Sequence, residues 1–104
     1  METIYSLRAE IFKALAHPIR LKIIEGVSKE EKSVGEIIKY VNAEPSNVSR
    51  HLSLLKKAGI LSDRKEGLNI YYSLKIPCVM DFFSCVTRVV KTRLESSRDL
   101  LDKI

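Results

Sequence analysis

The segment Pro45-Ser46-Asn47-Val48-Ser49-Arg50-His51-Leu52-Ser53-Leu54-Leu55-Lys56-Lys57-Ala58-Gly59-Ile60-Leu61 leaves this chain few ways to fold. Val48, Leu52 and Leu55 recur at helical spacing and make one apolar stripe, with Ile60 and Leu61 beyond the helix end. Pro45 suits the first helical position, where a missing N–H costs nothing, and Gly59 suits the stop. The side chains left outside are Ser46, Asn47, Ser49, Arg50 and Ser53. A helix that only packs carries Glu and Lys on its wet face for solubility. Short hydrogen-bonding groups with one arginine instead fit a DNA major groove, where they can bond base edges and phosphates. The segment reads as a recognition helix, and the rest of the chain as its mounting.

Ahead of it, Ile4, Leu7, Ile11 and Leu15 share one face of a first helix over 3–15, with Phe12 beside them. His17-Pro18 ends that helix and opens a second, carried by Ile19, Leu21, Ile23, Ile24 and Val27 and stopping near Gly26 to Ser28. His17 reads as a local structural residue rather than a ligand. Lys29-Glu30-Glu31-Lys32 reads as a solvated connector. Ser33-Val34-Gly35-Glu36 is a capping-box pattern at the head of a third helix through Ile37, Ile38 and Val41. Asn42-Ala43-Glu44 is a short turn, so residues 33–58 form a helix-turn-helix unit.

Beyond Gly59 the period changes. Leu61–Lys65 and Asn69–Leu74 read as the strands of a hairpin over 61–74, with Glu66-Gly67 as its turn. Ile70, Tyr72 and Leu74 alternate as a half-buried strand should, and Tyr71 and Tyr72 take opposite faces. Arg64 and Lys65 before the tip and Asn69 after it make the hairpin a basic wing, able to reach phosphates or a minor groove. Pro77 opens a last helix running to about residue 103, with a seven-residue repeat through Val79, Phe83, Val86, Val90, Leu100 and Ile104 that weakens at Arg93 and Ser97. The fold class is mostly α with a small β-hairpin: a winged helix-turn-helix of four helices, two strands and a long fifth helix, in one domain over 1–104. A terminal helix this apolar needs a partner, so residues 1–16 and 77–104 are expected to join two copies into a homodimer.

The formal charge of +5 and pI near 9.3 suit a polyanionic partner. No stretch approaches the ~20 apolar residues of a membrane span. Arg8, Glu10 and Lys13 interrupt the N-terminal segment, which argues against a secretory signal and for the cytoplasm, as does the use of only 2 cysteines. No nucleophile–base pairing, phosphate loop or metal cluster marks an enzyme.

Three stretches carry a family resemblance. Phe12-Lys13-Ala14-Leu15-Ala16-His17-Pro18-Ile19-Arg20-Leu21-Lys22-Ile23-Ile24 resembles the opening signature of the arsenical-resistance (ArsR-type) winged-helix repressors. Ser46 to Leu61 resembles that family's recognition helix, and Arg64-Lys65-Glu66-Gly67-Leu68-Asn69-Ile70-Tyr71-Tyr72 its wing. The likeness runs in register over roughly 8–75, and the last helix sits where the family has its dimer helix. It implies a homodimer that binds an inverted-repeat operator in double-stranded DNA, blocks transcription and is released by an inducer, often a metal ion. Carried over residue by residue, it implies a DNA-facing set of Ser46, Asn47, Ser49, Arg50 and His51, with Arg64, Lys65 and Asn69 on the wing and Lys56 near the backbone.

Two-fold symmetry would set the twin recognition helices in successive major grooves ~34 Å apart, on a near-palindrome. Arg50 has two readings, a guanine contact or a phosphate contact. His51 also has two: a groove contact, or an inter-helix hydrogen bond that never touches DNA. A non-DNA-binding protein-interaction dimer is the alternative function.

The family's metal sites find little here. Where one type carries Cys-x-Cys ahead of the recognition helix, this chain reads Val34-Gly35-Glu36-Ile37-Ile38, and the last helix has no histidine. Cys78 and Cys85 remain. Seven residues put them about 10 Å apart along one helix, too far to share one ion or form a disulfide. Across a dimer they could meet a partner's cysteine and form a soft-metal, metalloid or thiol-redox sensor. The other reading makes both ordinary small core residues.

Overall fold

The structure is a computed structural model that describes residues 1–104. Its helices are α1 (Ile4–Leu15), α2 (Pro18–Val27), α3 (Val34–Val41), α4 (Pro45–Lys57) and α5 (Val79–Asp102), and its strands are β1 (Lys32–Ser33), β2 (Leu61–Glu66) and β3 (Asn69–Leu74). The expected winged helix-turn-helix is present. β1 is an addition: Lys32, the end of the stretch read as a connector, and Ser33, the cap of α3, pair antiparallel with Tyr72 and Tyr71, giving a sheet of order β1-β3-β2. The hairpin turn falls one residue later than expected, on Gly67-Leu68, because Glu66 pairs with Asn69 and Gly67 supplies the left-handed φ of 61°.

Local chemistry sets the helix ends. Thr3 and Ser6 form a capping box on α1, and Ser33 and Glu36 form the one expected on α3. His17 caps α2, its Nδ1 accepting from the Ile19 N–H at 3.1 Å. α4 ends in a Schellman turn, with the Ile60 N–H bonded to Leu55 O and the Gly59 N–H to Lys56 O, each at 3.0 Å, and Gly59 at φ 81°.

The core lies among α2, α3, α4 and the base of the hairpin. Ile23, Ile24, Ile37, Val48, Leu52, Leu55, Ile60 and Leu61 are fully buried, with Tyr72 closing the sheet side. α5 begins on this core through Val79 and then leaves it. The resulting radius of gyration is 16.6 Å, against ~13 Å for a compact chain of this length.

Candidate nucleic-acid interface

The sequence of α4 splits its surface in two. Val48, Leu52 and Leu55 are no more than 1% exposed and fix the helix on the core. Ser46, Ser49, Arg50 and Ser53 stand exposed on the other side, with Asn47 half-buried beside them. Ser46 Oγ donates to Glu44 Oε1 at 2.6 Å, at the head of the helix. Arg50 makes no ion pair. The outer edge is thus small, polar and cationic on a rigid seat, which suits hydrogen bonding in a major groove.

His51, expected in the DNA-facing set, is not on that exposed edge. It is 9% exposed and faces inward, where Nδ1 accepts from Arg20 Nε at 3.0 Å. The inter-helix reading of this residue is the one the geometry realises. Burial, and then the cations around it, hold its pKa below the usual histidine value.

The wing's charges are partly committed inside the molecule. Lys56 bonds Asp63 of β2 at 2.9 Å, which raises the pKa of its ammonium. Arg64 is paired with Glu31 of the α2–β1 loop and with Glu66, and its guanidinium lies 4.6 Å from the ring centre of Tyr71. These hydrogen bonds raise its pKa and hold Glu31 below the usual carboxylate range. Lys65 and Asn69 are exposed near the tip, and Lys65 has no carboxylate partner. Tyr72 is the core tyrosine and Tyr71 the outer one. Sequence reasoning missed Glu31 and Arg20, whose partners lie 33 and 31 residues away. It also missed Leu68, fully exposed at the wing tip.

Cys78 and Cys85 are both free and exposed in the single chain. Within one chain they do not fit a metal: no group of three or more His, Cys, Asp or Glu side chains is placed to hold one.

The terminal helices present a continuous apolar face. Phe12 of α1 meets Phe82 of α5 edge to face, and a groove of about 430 Å³ runs past them along Leu15, Leu21, Phe83 and Val86. Val89, Val90, Leu94, Leu100 and Leu101 extend it, each at least 49% exposed. No helix is long and apolar enough to cross a membrane.

Known proteins share this arrangement. Residues 17–63 match the family described as bacterial regulatory protein, arsR family. The uncharacterized HTH-type transcriptional regulator Rv0081 of Mycobacterium tuberculosis is 39% identical over 98 residues, 93% of this chain and 85% of that one. Its crystal structure superposes with a TM-score of 0.75 at 38% identity, covering 94% of this chain and 98% of the other. The transcriptional repressor SdpR of Bacillus subtilis is 35% identical over 71 residues, 68% of this chain and 79% of that one. The homodimeric winged helix-turn-helix DNA-binding domain Mb0332 of Mycobacterium bovis superposes with a TM-score of 0.75 at 29% identity, covering 89% of this chain and 86% of the other.

Proposed function

The chain belongs to the ArsR family of bacterial regulatory proteins, DNA-binding transcriptional regulators and not enzymes, and on that premise we propose that it represses transcription as a homodimer seated on an inverted-repeat operator. In this reading the single domain divides its labour. Residues 33–58 are the helix-turn-helix, 61–74 the wing, and 1–16 and 77–104 the dimerisation helices. The cytoplasm is where such a regulator meets its DNA.

The observation that carries the reading is the outer edge of α4, exposed and polar at Ser46, Ser49, Arg50 and Ser53 above a fully buried stripe. Asn47 and Arg50 are the base-reading candidates, with Lys65 and Asn69 reaching from the wing. Lys56 and Arg64 contact phosphate only by exchanging their present carboxylate partners, so they position rather than specify. The effector-responsive groups are Cys78 and Cys85, which only a second chain can complete into a soft-metal or thiol-redox site. SdpR is named as a repressor and Mb0332 as a homodimer, which supports both parts of the proposal.

A second reading, a winged-helix dimer that docks proteins, draws on one observation: Lys56 of α4 and Arg64 of the wing are already paired with carboxylates within the molecule. Salt separates the two. Fragmented genomic DNA selected by the purified protein supplies a duplex, and its affinity is measured against salt concentration. Released counterions should give a steep negative log–log slope, each phosphate contact adding about −0.9. A flat dependence, or no selected duplex, supports the protein-docking reading.

A further inference from the structure

Arg20 joins three helices. Its Nε donates to His51 Nδ1 on α4 at 3.0 Å, and its Nη1 donates to the carbonyl oxygens of Lys13 and Ala14 on α1, each at 3.2 Å. Those carbonyls belong to the last turn of α1, where intrahelical donors run out. All three acceptors are neutral, and no carboxylate pairs with Arg20. A guanidinium can only donate, so Nδ1 of His51 holds a lone pair and its ring is uncharged. The His17 ring lies beside it, centroids 4.3 Å apart, while its own Nδ1 caps α2. Arg50, the groove-edge cation, is the next residue in the chain.

The charged groups facing His51 share one sign: Arg20 from α2 and Arg50 from α4 itself, with the His17 ring, the cap of α2, beside them. α1 offers carbonyl oxygens, and its Glu10 and Lys13 line the shallow groove that Arg20 shares with Lys57.

We infer that Arg20 is a positioning residue for DNA binding that acts through uncharged His51. The pair latches the recognition helix to the junction of α1 and α2, and a proton on His51 opens the latch. That proton turns the acceptor into a donor, so the bond to Arg20 is lost and two cations face each other. α4 keeps its apolar seat but loses the polar contact that ties it to α1. Burial and the neighbouring cations favour the neutral ring in the folded state. The stabilisation is therefore present above the usual histidine range, ~6.5, and is lost as pH falls through the lowered value. DNA affinity should then fall on acidification, opposite to the gain that a basic protein makes as its histidines charge. This consequence rests on the duplex-binding reading above; the latch itself is a property of the fold.

The test compares wild type with His51→Asn, whose amide can accept near the Nδ1 position but cannot titrate, and with Arg20→Lys, which keeps the charge but not the three-way bridge. Two readouts are taken at about pH 7.5 and about pH 5.5: affinity for the genomic duplex selected at the higher pH, and amide exchange along α4, corrected for intrinsic rate. In wild type, affinity should drop about tenfold and α4 protection should fall more than α3 protection. In His51→Asn both pH effects should vanish. Arg20→Lys should lose α4 protection already at the higher pH. Equal pH profiles in wild type and His51→Asn overturn the latch. Where His51→Asn does not fold, wild type decides: loss of α4 protection must track the titration of the His51 ring resonance, and a mismatch overturns the latch. Where no duplex binds at any pH, the DNA reading fails and the exchange data still judge the latch.

Discussion

Phe12 of α1 and Phe82 of α5 meet edge to face with ring centroids 5.8 Å apart, which joins the two terminal helices into one apolar surface. Leu94, further along α5, is 64% exposed and supports nothing in its own chain. Leu94→Asp should leave the domain folded and separate the copies, because a charge buried between subunits is costly without a partner. Light scattering should report half the wild-type mass, and the melting temperature should stop depending on protein concentration. An unchanged mass would place the dimer contact elsewhere.

Leu52 and Arg50 sit two residues apart on α4 and should fail in different ways. Leu52 is 1% exposed, so Leu52→Ala should cost about 2–5 kcal/mol of stability, read by urea unfolding. Arg50 is exposed and unpaired, so Arg50→Ala should change stability by less than about 0.5 kcal/mol. Its duplex affinity should fall by ~1–3 kcal/mol where the guanidinium reads a base.

Gly26 is buried in α2 beneath the ring of Tyr40, and a Cβ added there would meet Tyr40 Cδ1 at 2.8 Å. Gly26→Ala should therefore destabilise by about 1 kcal/mol despite the helix propensity it gains. In a Tyr40→Ala background the same change should stabilise by up to about 1 kcal/mol. A double-mutant cycle with no coupling would contradict this contact.

Glu36 closes the capping box of α3 by accepting from the Ser33 N–H at 2.9 Å, and that bond lowers its pKa. A carboxylate with a lowered folded value stabilises above its ordinary pKa, ~4.3, and loses that contribution as pH falls through the lowered one. Denaturant titrations between about pH 6 and about pH 3 should show a smaller acid loss in Glu36→Gln than in wild type. Equal losses would remove Glu36 from the acid response.

Helix ends were legible because their signals are local. Pro18, Pro45, Gly59 and the Ser33–Glu36 box each act within four residues, and each is where the reading placed it. β1 was hidden because two residues have no period; only the pairing with Tyr71 and Tyr72 defines it. The inward turn of His51 had a signal that went unused: it lies three residues after Val48 and four before Leu55, on the edge of the buried stripe. The commitment of Arg64 to Glu31 had none, since those residues are 33 apart and meet only when the α2–β1 loop reaches the hairpin.

The outer edge of α4 as a duplex-reading surface is tested most directly by titrating the isotope-labelled protein with the selected duplex and following backbone amide resonances. The account predicts the largest shifts from Ser46 to Ser53 and around Lys65 to Asn69, in one symmetric set of signals for the dimer. Shifts confined to α5, or none in α4, would contradict it.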